Sequence, residues 1–180
     1  MTHLKLKPLI NEDIFKTDLK LKTHEKLIAN AVTEFMTTQF NFKAKIIVKK
    51  KDNNALIGDI SLTNASVNNN KFTVHYNPNQ SYRGIIKSLI HELTHVKQVT
   101  KKELQPNKEW NAIVWKGKDF ISVRDYNKLM KKGFSEYKKL PWEEEAYSNM
   151  DKLYSVFTSS NYWTGLKGKD ETLDYIIKNV

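Results

Sequence analysis

The chain contains no cysteine, only 6 glycines and 4 prolines, and just two arginines, Arg83 and Arg124, among its 30 basic residues. Without cysteine there is no disulfide framework, and a metal site would have to be built from His, Asp or Glu. No Pro/Gly/Ser-rich linker and no internal repeat divides the sequence, so residues 1–180 are expected to form a single domain, with 1–22 as an N-terminal extension. No apolar run approaches the roughly 20 residues that span a bilayer. The opening MTHLKLKPLINEDIF lacks the continuous apolar stretch of a signal peptide, which points to a cytoplasmic protein with no membrane partner.

The formal charge is +10. Such a surplus raises a nucleic-acid-binding protein as one reading. Near-absence of arginine, the side chain suited to bidentate phosphate and base contacts, weighs against it. The clusters Lys49-Lys50-Lys51 and Lys131-Lys132 read as solvated ends of elements.

Periodicity supplies the elements. Leu27, Ile28, Ala31, Val32, Phe35, Met36 and Phe40 recur at helical spacing from Thr23 to Phe40. Three strand-like runs follow, Phe42–Val48, Ala55–Leu62 and Lys71–Tyr76, the last two joined by the Asn-rich TNASVNNN. Ser81 is placed to cap the next helix. Farther on, a strand is expected at Trp110–Trp115, a short helix at Arg124–Lys132, a helix opened by Pro141 and running to Phe157, and a last helix at Glu171–Ile177.

The helix after Ser81 carries SLIHELTHVKQ, whose centre reads H-E-x-x-H. His91 and His95 are four apart and stack on one helical face, about 6 Å along the axis, from where two imidazoles can converge on one metal ion. Glu92 points to the side of that face, within reach of a metal-activated water whose proton it can take. With 5 histidines in 180 residues, a chance H-E-x-x-H is roughly a one-in-a-hundred event. The competing interpretation is a solvated polar face beside the apolar stripe Ile86, Leu89, Ile90, Leu93 and Val96.

No histidine follows His95, and Gln98 and Lys101 exclude the extended three-histidine pattern. A third ligand downstream is therefore a carboxylate. The run Pro141-Trp142-Glu143-Glu144-Glu145-Ala146 opens a helix and offers Glu143 or Glu145, although acids at a helix N-terminus also serve simply to complement its dipole. Tyr126, Tyr137 and Tyr147 are candidates for an oxyanion donor, and Trp115-Lys116-Gly117 for a loop near the site.

HELTHVKQ followed by PWEEEA resembles the gluzincin branch of the zincin metallopeptidases, and is similar to small phage-encoded metallopeptidases loosely grouped as SprT-like. The two motifs cover about a dozen residues, and the order helix, strands, motif helix, glutamate helix matches as well. The resemblance implies an α+β zincin-like domain with a small antiparallel sheet, the motif helix and a C-terminal helical lobe. It implies one Zn²⁺ per chain, held by His91, His95 and Glu143, with Glu92 as general base and a peptide or protein as substrate, in host cytoplasm or virion. It also implies that the strand before the motif helix, Phe72 to Tyr76, is an edge strand that pairs with substrate, with His75 as an edge residue. Two departures are visible. Tyr147 stands where the family often has an aspartate supporting a ligand histidine, which keeps Glu145 open as third ligand. The third histidine of SprT itself is missing, so its DNA-linked role does not carry over. A non-catalytic zincin fold serving as a binding or virion module is the principal rival.

Overall fold

A computed structural model describes residues 21–51, the backbone of 58–61, and residues 69–180. The expected extension falls outside these residues apart from its last two positions, as do most of TNASVNNN and the first part of the run Ala55–Leu62.

Helix α1 (Thr23–Gln39) buries Ile28, Ala31, Val32, Phe35 and Met36, the stripe its spacing predicts. Glu25 accepts from the backbone N–H of Lys22 at 2.6 Å, which satisfies one of the open donors at the helix start. The same carboxylate meets the buried Lys50 ammonium at 2.5 Å, tying α1 to the strand β1 (Lys45–Lys50).

Strands β2 (Gly58–Ser61) and β3 (Lys71–Tyr76) complete the first sheet in the order β1-β3-β2. β2 is antiparallel to β3, but β1 runs parallel to it, with Lys45 opposite Lys71 and Lys50 opposite Tyr76. The sheet is therefore mixed and not antiparallel as expected. β3 lies in the middle, with the parallel β1 on one side and the antiparallel β2 on the other. β3 is also not an edge strand, because both of its ladders are filled. Among the described residues the outer strands are β1 and β2.

Helix α2 (Tyr82–Thr100) follows, with Ser81 Oγ accepting from the N–H of Gly84 at 3.2 Å. Ile86, Leu89, Ile90, Leu93 and Val96 are buried as the stripe requires. So are Ser88, His91, Glu92, Thr94, His95 and Gln98, because α1, β3 and a later helix that begins at Pro141 pack around α2 from different sides. A polar face this deeply covered needs internal partners.

The second sheet is the antiparallel meander β4 (Leu104–Pro106), β5 (Ala112–Trp115) and β6 (Lys118–Ser122). Lys116 and Gly117, at φ 47° and 83°, form the two-residue turn between β5 and β6, where a pair of positive φ angles matches the strand twist. Ser122 caps α3 (Val123–Lys131), and the single turn α4 (Phe134–Tyr137) follows Gly133 at φ 104°, a conformation that favours glycine. Pro141 starts α5 (Pro141–Thr158), followed by the turn α6 (Asn161–Thr164) and the closing helix α7 (Glu171–Asn179). The result is an α+β arrangement. No helix among the described residues is long and apolar enough to cross a membrane.

Candidate metal centre

α2 and α5 face one another, and each brings part of a polar cluster into the interface. From α2, the rings of His91 and His95 lie edge to face, 4.8 Å between centroids. From the first turn of α5 comes Glu143, fully enclosed at 0% exposure. Nε2 of His91 and Nε2 of His95 are 3.2 Å apart. Glu143 Oε2 lies 3.3 Å from Nε2 of His91, and Oε1 lies 3.1 Å from Nε2 of His95. Two imidazoles and a carboxylate thus close a triangle of electron-rich groups, and this buried His-His-Glu group can hold a metal ion.

The electrostatics follow from the triangle. Burial opposes a charge on His95, yet the Glu143 carboxylate beside it prevails and pushes the pKa up to about 9. Burial likewise works against ionised Glu143, but His95 and His91 hold that carboxyl well below the usual range. A positive charge is stabilised between the three groups. Glu92 is buried next to them at 1% exposure, and its charge bears on His95, Tyr137 and Tyr147.

The three tyrosines separate. Tyr137 is buried on α4 and donates its hydroxyl hydrogen bond to Oε1 of Glu143. Burial, reinforced by Glu143, pushes its phenol well above the ordinary value, so it stays a donor. Tyr126, on α3, is buried beside the Trp142 ring, 6.3 Å between centroids, and its hydroxyl has no hydrogen-bond partner among the described residues. Tyr147, half-buried, lays its ring 4.3 Å from that of His91. The position that an aspartate would take as support for a histidine thus holds a ring packed against it, and Nδ1 of His91 has no partner among the described residues.

Glu145 is turned away from the triangle. Its carboxylate meets Lys97 at 3.0 Å and Lys116 at 2.8 Å, so the β5–β6 turn reaches α5 through this residue. Glu144 is exposed. His75 lies on β3 opposite Asp59 and Lys49, away from the triangle.

Sequence reasoning used Gln98 only to exclude a longer histidine pattern and missed its place in the site. Its side chain is fully buried, with Oε1 2.8 Å from Nδ1 of His95 and Nε2 donating to the carbonyl of Trp142 at 3.0 Å. The signal was available: Gln98 follows His95 by three residues and shares its helical face.

No protein-family model, no curated protein and no solved structure matches the chain. The site therefore rests on its own geometry: an α+β chain with a buried His-His-Glu group between two helices.

Proposed function

We propose that the chain is a zinc-dependent peptidase of the gluzincin type that HELTH and PWEEEA resemble, acting on a peptide or protein substrate. The observation that carries this reading is the meeting of His91, His95 and Glu143: the two Nε2 atoms are 3.2 Å apart, one oxygen of the carboxylate lies 3.1 Å from that of His95, and the other lies 3.3 Å from that of His91. Two ligand atoms at about 2.0–2.1 Å from a tetrahedral zinc lie about 3.3 Å apart, so this donor set fits that ion. Two neutral imidazoles and one carboxylate are also the donors found in catalytic zinc sites that leave a fourth position open.

Zinc at these residues supplies Lewis acidity, lowering the pKa of a water toward ~7 and polarising a carbonyl. The protein residues do the rest. His91, His95 and Glu143 hold the ion. Glu92 takes the proton at its carboxylate, since it belongs to the buried cluster without being one of the three donors. Tyr137 orients Glu143. With Tyr137 committed to that hydrogen bond, Tyr147 is the tyrosine that suits an oxyanion: it packs on His91, and burial with the nearby carboxylates keeps its phenol protonated.

Enclosure of all four residues favours a second reading, a zincin-type fold that holds zinc for structure or binding without turnover. Glu92→Gln separates the two. The peptidase reading expects chelator-sensitive cleavage of an unfolded protein or a peptide library by the wild type. It expects Glu92→Gln to keep its zinc and its thermal midpoint while losing about 10²–10⁴ of rate. Wild-type-like cleavage by that variant would refute Glu92 as base, and a zinc-loaded wild type that cleaves nothing would favour the second reading.

A further inference from the structure

The orientation of the Gln98 amide is fixed by its surroundings. Its nitrogen faces two acceptors, the Trp142 carbonyl at 3.0 Å and Oε1 of Glu145 at 3.5 Å. An amide oxygen turned toward these would set acceptor against acceptor, so the NH₂ belongs on that side and Oε1 belongs against Nδ1 of His95, at 2.8 Å. An amide oxygen only accepts. The proton of this hydrogen bond must therefore reside on Nδ1 of His95, which leaves Nε2 of the neutral ring as a bare lone pair directed into the triangle.

We infer that Gln98 is a positioning residue for two of the three metal-holding side chains at once. Through Oε1 it locks His95 in the tautomer that presents Nε2, and through Nε2 it fixes the backbone of Trp142, the residue immediately before Glu143. One buried amide thus sets the donor atom on α2 and the placement of the donor on α5. His91 has no equivalent, because its Nδ1 is without a partner among the described residues and its ring is held by packing against Tyr147. The three donors are accordingly unequal: His95 and Glu143 are prearranged, and His91 adjusts to them. This inference rests on the metal-holding role proposed above.

The test uses the full chain and zinc alone, with affinity measured by competition against a chromophoric chelator. Gln98→Met keeps the length of the side chain but neither hydrogen bond, and should weaken zinc binding about 10–100-fold, the usual cost of losing an outer partner. Gln98→Glu retains an acceptor for Nδ1 of His95 but turns its second oxygen toward the Trp142 carbonyl and Glu145, so it keeps the His95 contact, loses the one to α5 and should also bind zinc more weakly than wild type. Unchanged affinity in Gln98→Met would overturn the inference. Wild-type affinity in Gln98→Glu would overturn the part of the inference that runs through Trp142 to Glu143. Should Gln98→Met fail to fold, long-range ¹H–¹⁵N NMR of the zinc-loaded wild type decides the matter: His95 should coordinate through Nε2 and carry its proton on Nδ1, and the opposite tautomer would overturn it. A wild type without zinc affinity would remove the metal-holding role itself. Wild-type binding that is lost in His95→Ala but kept in Gln98→Met would remove only the role of Gln98.

Discussion

Tyr137 donates its hydroxyl hydrogen bond to Oε1 of Glu143, the same oxygen that lies 3.1 Å from Nε2 of His95. A phenol from a single helical turn, α4, thereby orients the carboxylate of another element. Removing the hydroxyl in Tyr137→Phe leaves a buried carboxylate short of a donor, and hydrogen bonds to charged groups contribute about 1.5–3 kcal/mol. Tyr126→Phe should behave oppositely. Its buried hydroxyl has no partner among the described residues, so deleting it relieves an unmet desolvation cost and should leave stability unchanged or raise it by up to about 1 kcal/mol. Denaturant unfolding of both variants checks the pair, and a larger loss for Tyr126→Phe than for Tyr137→Phe would contradict the assigned contacts.

Metal content is the next expectation. The protein should bind about one zinc per chain, and His91→Ala and His95→Ala should each lose it, because two remaining donors hold such an ion poorly. Elemental analysis after gel filtration reads this directly. Full retention of zinc in both variants would exclude the triangle as the site.

The acidic run of α5 should divide by function. Glu143→Gln should strip or severely weaken zinc binding, whereas Glu144→Gln, exposed, and Glu145→Gln, engaged with two lysines, should retain it. Loss of metal in Glu145→Gln alone would move the third donor by two positions.

Glu145 has its own signature in pH. Burial raises its pKa, but the ammonium groups of Lys116 and Lys97 outweigh this and lower it below the ordinary carboxylate value. A depressed folded-state pKa contributes stability that is present above the unfolded value and is lost as pH falls through the folded one. Glu145→Gln should therefore be less stable than wild type at neutral pH, by about 0.2–1 kcal/mol for pairs near the surface. The gap should close as both are taken into acid. Thermal midpoints across that range test it, and a gap that widens in acid would reverse the sign.

Legibility of the sequence followed the length and regularity of each element. α1, α2 and α5 span several turns, so their apolar stripes repeat often enough to be read, and Ser81 and Pro141 mark two of the starts. β4 and β6 escaped because three to five residues rich in Lys, Asp and Gln show no alternation, although the Lys116-Gly117 turn was a usable hairpin signal. The turns α4 and α6 are too short to show a period. Parallel pairing of β1 with β3 is a long-range choice that no local pattern encodes. Within the site, His91, Glu92 and His95 are adjacent in sequence and stand out together. The choice between Glu143 and Glu145 was not legible, because it depends on where Lys97 and Lys116, from two other elements, place their charges.

The chain leaves α2, forms the second sheet, α3 and α4, and returns to α5 beside its point of departure. Gln98 to Trp142 and Lys97 to Glu145 already close that excursion. An ion held by His95 and Glu143 would act as a further clasp at its base, and because its donors converge only in the folded chain, the free energy of binding it would add directly to the stability of the fold. Withdrawing the ion should therefore lower resistance to unfolding well beyond the site, across the whole excursion.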